Sequence, residues 1–375
     1  MRRNALFALA LTAVCVTPIQ AQDGERLIDT CQGLAVGDVD VQNENPAAPQ
    51  VAIDAAVSEI IDEVQFLCSN VATTLSTLQP TIGITFSGGN PTLGMGGTLG
   101  TRFGLIPRFS VTARVNAAYA EGPDFEEFAS QVGEGEELPP AETRGIPLGA
   151  IQGDVAIGVF NGITLVPMLG GLGSIDLLGS VSFIPVIESV GLEEAIVSWG
   201  VGARVGILKG GLLAPGLSVS GMYRKLGEVQ FGDIEDEDPG EFAMDLSTLS
   251  LRAALSKGFA MFDFAVGAGY DKYSSDPAFN FAVECQTNEC VAASADGSGI
   301  TVTMAEDISG DVSTAAWNVF GNVGLSLLLF NLVGEVGYQQ ATDILTGGDV
   351  DGRTLTEEEI GEGRFFGSLG LRLTL

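Results

Sequence analysis

The stretch Phe365-Phe366-Gly367-Ser368-Leu369-Gly370-Leu371-Arg372-Leu373-Thr374-Leu375 alternates. Leu369, Leu371, Leu373 and Leu375 fall on one face of an extended chain, and Ser368, Gly370, Arg372 and Thr374 on the other. A period of two is the signature of a strand with one apolar face. About ten such residues match the span of a tilted transmembrane β-strand.

The same period recurs upstream. Over Phe109 to Tyr119, the residues Phe109, Val111, Ala113, Val115, Ala117 and Tyr119 oppose Ser110, Thr112, Arg114 and Asn116. Over Trp317 to Leu327, Trp317, Val319, Val323, Leu325 and Leu327 oppose Asn318, Asn322 and Ser326. Mean hydropathy is +0.31 and apolar content 46%. Yet beyond the first residues no run is long and apolar enough for a membrane helix, so the apolar residues are distributed by alternation. The 51 glycines suit strands that bend and approach closely. Tyr119, Trp199, Tyr223, Tyr270, Tyr273, Trp317 and Tyr338 sit near strand ends, as interfacial girdles do.

The connections are unequal. Acidic loops span Glu121 to Glu142, Asp233 to Glu241, Asp296 to Asp311 and Gly347 to Gly363, against tight connections at Lys257-Gly258 and Leu329-Phe330-Asn331. Alternation of long outer loops with short periplasmic turns is an outer-membrane pattern. The fold class is therefore all-β, a transmembrane antiparallel barrel. Dividing the residues from Thr81 onward by the length of one strand and its connection predicts about 12 to 14 strands.

The start of the chain reads differently. Arg2, Arg3, the apolar Leu6 to Val16 and a small residue at Ala21 predict a signal peptide over 1–21 and export to the bacterial outer membrane. Residues 22–80 then form a separate segment, and 81–375 the barrel. Ile53, Val57, Ile60, Ile61, Val64, Leu67, Cys68, Val71 and Leu75 recur at helical spacing, which predicts one amphipathic helix over 53–77, ended by Pro80. Its apolar stripe needs a partner surface. Two positions are open to it, as a plug in the lumen or against the periplasmic mouth. An exported chain with Cys31, Cys68, Cys285 and Cys290 predicts the disulfides Cys31–Cys68 and Cys285–Cys290. With no histidine and no zinc spacing, neither a metal nor another cofactor is expected.

Net charge is −31, with 17 basic residues against 48 acids, so nucleic acid is excluded as a partner. The basic residues that remain are concentrated. Arg102, Arg114, Arg204, Arg224, Arg252 and Arg372 all point opposite the apolar set, and Asp263 and Glu335 share that face. In a barrel this face lines the lumen. Two roles are open: a charge network that fixes the lumen, or a path for an anionic ligand. Hydrolases usually need a histidine base, so no enzyme is expected. Gly216-Leu-Ser-Val-Ser-Gly221 lacks the strand-turn-helix setting of a nucleophilic serine. Gly348-Asp-Val-Asp-Gly352, followed by Glu357 to Glu359, lacks full EF-hand spacing and reads as a solvated acidic loop.

Ser368-Leu-Gly370-Leu-Arg-Leu373-Thr-Leu375 resembles the terminal recognition signal of outer-membrane barrels, with Leu in place of the usual final Phe. The resemblance implies the barrel assembly machinery as a partner of this strand, and outer-membrane lipid around it. Gln79 to Pro91, Thr98 to Gly104, Ile106-Pro-Arg108, Trp199 to Ile207 and Leu217 to Tyr223 look like a group of uncharacterised bacterial outer-membrane β-barrels. More distantly the layout is similar to the outer-membrane long-chain fatty-acid transporters, which have an N-terminal hatch. The function these readings imply is passive passage of small molecules, hydrophobic ones included, with a small-molecule ligand in the lumen. The alternative is a non-transporting structural or adhesive barrel whose acidic loops bind ligands or ions.

Overall fold

A computed structural model of the chain describes residues 29, 31–102, 106–123, 143–163, 172–185, 195–210, 214–231, 240–304, 308–309, 312–327, 329–340 and 363–375. The expected signal peptide, the Gly348 to Glu359 loop and most of the acidic loops lie outside the described residues.

Ten strands form the wall. They are β1 (Ile106–Pro123), β2 (Thr143–Phe160), β3 (Ser174–Ile184), β4 (Ile196–Lys209) and β5 (Gly216–Leu226). They continue as β6 (Gly240–Phe259), β7 (Phe262–Cys285), β8 (Val312–Leu327), β9 (Phe330–Gln339) and β10 (Arg364–Thr374). Each pairs antiparallel with the next, and β10 closes on β1 from Phe365 opposite Tyr119 to Thr374 opposite Ser110. Closure removes the free edges that a membrane cannot satisfy. Alternation sets the faces: Val111, Val115, Ile151, Val181, Val319 and Leu369 are exposed outward, while Thr112, Asn116, Gln152, Asn318 and Ser368 are buried inward.

Ten strands is fewer than the 12 to 14 expected. The division assumed that every residue after 81 belongs to the wall and that strands only span the bilayer. Instead the wall begins at Ile106, and β6 and β7 run for 20 and 24 residues, past the bilayer. The tight turns fall at Ala260-Met261, a few residues from the expected Lys257-Gly258, and at Leu329, within the expected Leu329 to Asn331. Ala260 takes the left-handed conformation (φ 54°) that a two-residue turn requires.

The helix also differs. α1 spans Gln50–Ser87 and runs straight through Pro80. An internal proline costs about 3 kcal/mol by removing one helical hydrogen bond. The barrel replaces it with tertiary ones: Gln79 donates to Ser275 Oγ and the Val312 carbonyl, and Arg364 Nε donates to Thr81 Oγ1. Gly88 then ends the helix at φ 59°, donating its N–H to the Ile84 carbonyl.

Two environments follow along α1. Its first half lies beyond the bilayer at the long-loop end, where Ile53, Val57, Ile60, Ile61 and Val64 form one apolar core with Phe242, Met244, Leu246, Phe281 and Val283 of the tall strands β6 and β7. Both disulfides form with the expected partners, Cys31–Cys68 and Cys285–Cys290, and both lie in this cap. The short helix α2 (Asn288–Ala293) packs beside them, and the strand Val39–Gln42 pairs with Ile300–Met304, which extends β7. The second half of α1 descends into the bore. Residues 88–102 continue the descent, and Thr101–Arg102 pairs with the start of β1. Eight strands enclose a space that side chains alone can fill. Ten enclose a wider one, and here a segment of main chain occupies it.

Candidate functional site: an arginine-bearing lumen around a threaded segment

The bore is polar because β-alternation puts every second residue inside. Three ion pairs are buried there: Arg114 Nε–Asp154 Oδ2 at 3.0 Å, Arg204 Nη2–Asp176 Oδ2 at 2.6 Å and Arg252 Nη1–Asp271 Oδ1 at 2.8 Å. A charge in such a place is costly unless it is paired and hydrogen-bonded. Each of these arginines meets both conditions or spends its remaining donors on the threaded segment.

The end of α1 is held by cations. Arg114 donates to the carbonyls of Ser87 (3.3 Å) and Asn90 (3.1 Å). Arg252 donates to those of Gly88 (3.1 Å) and Gly89 (2.8 Å). Arg372 donates to the Leu93 carbonyl. Helix C-termini present unpaired carbonyls and a partial negative charge, so guanidinium groups are the natural partners.

The N–H groups just beyond are held by anions. Glu335 accepts from the backbone of Gly89 (2.9 Å) and Asn90 (2.8 Å), and also from the Asn322 side chain (2.6 Å). Asp176 accepts from the backbone of Leu99 (2.9 Å) and Gly100 (3.2 Å). Asn322 and Asn116 complete the grip, the latter donating to the Thr85 carbonyl at 3.0 Å. Packing is equally close: a Cβ on Gly83 would stand 2.1 Å from the Tyr273 ring.

The residues singled out in the sequence thus occupy distinct places. Arg114, Arg252, Arg372 and Glu335 grip the segment directly, and Arg204 does so through Asp176. Asp263 lies lower, half-buried near the turn end, where it accepts from Ser326 Oγ at 2.9 Å. The side chain of Arg102 is outside the described residues. Arg224 is only 1% exposed, yet no carboxylate lies within ion-pair distance among the described residues. Its donors reach Ser250 Oγ at 3.4 Å and Met222 Sδ at 3.2 Å. The sequence reading missed Asp154, Asp176, Asp271 and Arg364. Parity carried the signal, since each falls on the inward set of its strand.

The lumen is packed. Residues 78–94 and 96–100 are buried throughout, and the cleft between Ser87, Met222, Arg224 and Arg252 has no room for a water molecule.

A closed antiparallel barrel with an apolar outside, a polar bore and long connections at one end is the architecture of the bacterial outer membrane, and this chain has it. No family model matches the chain, and no curated protein sequence matches it. Among solved structures it is similar to the outer membrane protease OmpT from Escherichia coli (10% identity, 72% of this chain and 96% of that one, TM-score 0.35). It is similar as well to the translocator domain of the autotransporter NalP from Neisseria meningitidis (10% identity, 71% and 88%, TM-score 0.34). The likeness to a Pseudomonas aeruginosa FadL homologue is more distant (9% identity, 77% and 97%, TM-score 0.19). The expectation of a non-enzyme is corrected to the extent that a protease stands among these similar barrels.

Proposed function

We propose that the protein is a non-conducting outer-membrane barrel that carries its own N-terminal segment through the bore and holds it, disulfide-bonded, at the outer face. The observation that carries this reading is the filling of the lumen by residues 79–102, whose backbone is bonded to the wall on both its carbonyl and N–H sides. Of the two functions drawn from the sequence, packing of this kind favours the structural one over passage. The wall acts as an anchor, and the apolar cap of α1, β6 and β7 acts as the presented part.

Single-channel recording of the refolded full chain tests it. The expected trace is flat at moderate voltage. A steady conductance would overturn the reading.

One observation favours a second reading, a gated path for small anions. Arg224 is buried among Ser87, Ser220 and Ser250 with no carboxylate at ion-pair distance among the described residues. If a conducting state can be evoked by high voltage or by reduction of Cys31–Cys68, its anion selectivity should fall in Arg224→Ala. Unchanged selectivity removes this second reading.

A further inference from the structure

The outer border of the bilayer is drawn on β6 and β7 by a reversal of faces. Below it the outward residues are Leu251 and Leu249 on β6 and Tyr270 on β7. One step higher they become Ser247 and Asp245 on β6, and Ser274 and Asp276 on β7, with Lys272 at the border itself, level with Leu249. Inward residues reverse in the opposite sense, from Arg252, Ser250 and Thr248 to Leu246, Met244 and Phe242. The switch happens at one level because the strands are in register: Lys225, Ser247, Ser274 and Ser313 stand side by side across β5 to β8. Immediately below stand Tyr223, Leu249 and Lys272, and then Tyr270 and Trp317, in contact at a tilt with ring centroids 5.0 Å apart.

At this level the outer wall is hollowed into a groove of about 420 Å³, lined by Tyr223, Lys225, Asp245, Ser247, Lys272 and Ser274 among others. The volume lies in the range of small-molecule sites. Its charges are layered. The two lysines flank the hydroxyl row at the border, and Asp245 and Asp276 stand side by side above it. Lys225 Nζ is 3.4 Å from Asp245 Oδ2, and both side chains are 48% exposed, so the pair is weak and exchangeable. Ser247 and Ser313 donate their hydroxyl protons to the carbonyls of Ser274 and Tyr273, which leaves their oxygens free to accept.

We propose that this groove binds the phosphorylated sugar headgroup of an outer-leaflet lipid. The phosphate meets the ammonium groups of Lys225 and Lys272. Sugar hydroxyls donate to the serine oxygens and to Asp245. The acyl chains descend along Leu249, Leu251 and the Tyr270–Trp317 pair. Height decides between a lipid and a soluble phosphosugar: the cations sit where headgroup phosphates sit, on top of the apolar belt. In a chain of net charge −31, two outward lysines that offset Asp245 and Asp276 make this level locally neutral, where a phosphate is not repelled as it is elsewhere.

The test uses the full chain in non-ionic detergent. Lipid binding is measured by native mass spectrometry with a bisphosphorylated diglucosamine glycolipid, its dephosphorylated form, its deacylated soluble headgroup, and phosphatidylglycerol. The expected result is saturable binding of about one bisphosphorylated lipid per barrel, at least tenfold weaker for each of the other three. Lys225→Glu/Lys272→Glu should lose at least tenfold in affinity while keeping the wild-type heat-induced gel shift, because both side chains are exposed. Equal binding by the double variant, by the soluble headgroup or by phosphatidylglycerol would overturn the proposal.

Discussion

Arg252 and Asp271 are bonded across adjacent strands, Nη1 to Oδ1 at 2.8 Å and Nη2 to Oδ2 at 2.9 Å, with the carboxylate wholly buried. The same guanidinium donates through Nε and Nη2 to the carbonyls of Gly89 and Gly88, just past the end of α1. One side chain therefore joins wall to wall and wall to threaded segment. Asp271 is held in turn by Asn318 Nδ2 at 2.7 Å.

Replacing Arg252 by Ala leaves the Asp271 charge and two carbonyls without their main partner. Breaking a buried pair from one side costs about 3–5 kcal/mol. The urea midpoint of the folded-to-unfolded gel shift should fall accordingly. Arg252→Lys should recover only part of the loss, because an ammonium cannot fork between Asp271 and two carbonyls. A wild-type midpoint in Arg252→Ala would show that the segment is not held there.

Glu335 accepts two consecutive backbone N–H groups, and Glu335→Gln turns part of that acceptor into a donor. Hydrogen bonds to a charged group contribute about 1.5–3 kcal/mol each. Amide exchange at Gly89 and Asn90 should quicken by at least tenfold, with strand amides far from the segment unchanged. Uniform acceleration everywhere would mean a general loss of stability instead.

Gly83 faces the Tyr273 ring closely enough that any Cβ collides. Gly83→Ala is expected to lower stability by about 1–3 kcal/mol through overpacking. Tyr273 is also held by Gln339, whose Nε2 donates to its hydroxyl at 2.7 Å. Tyr273→Leu alone should destabilise, and in combination with Gly83→Ala the two losses should sum to less than their separate values. Strict additivity in this double-mutant cycle would place the ring elsewhere.

Cys31–Cys68 closes a loop over 37 positions of sequence. Chain-entropy arguments assign about 4 kcal/mol to such a closure. Reduction, or Cys31→Ser/Cys68→Ser, should expose the cap to protease at concentrations that leave the oxidised protein intact, while the heat-induced gel shift of the wall persists. Equal protease resistance would assign the cap's stability to its apolar packing alone.

Asp296 accepts from Asn43 Nδ2 at 2.9 Å and from the Ser298 backbone and hydroxyl. These bonds, Asn43's foremost, hold its carboxyl down to about 2. A depressed carboxyl stabilises above its unfolded value of about 3.9 and loses that contribution as pH falls through the folded one. The link between residues 43 and 296 should therefore be intact above about pH 4 and open as pH approaches 2. A carboxyl carbon titration of Asp296 by NMR checks it, and a midpoint near 3.9 would show that Asn43 does not reach the carboxylate.

The alternation in Phe365 to Leu375 and its repeats was enough to determine a strand wall with an apolar outside, because side-chain direction in a strand depends on nothing but parity. The same parity placed Arg114, Arg204, Arg224, Arg252 and Arg372 on the inner face, and the cysteine spacing paired all four cysteines. Strand number was not legible, because the length of chain spent inside the bore or above the bilayer leaves no mark on the period of the rest. Nor was the course of α1 through Pro80: a proline predicts a break from local energetics, and only the bonds from Ser275, Val312 and Arg364 make the continuous helix cheaper. The partners of the arginines came last. Asp154, Asp176, Asp271 and Glu335 meet them across strands or through the threaded segment, and such meetings are fixed by register and closure, which exist only once the barrel has formed.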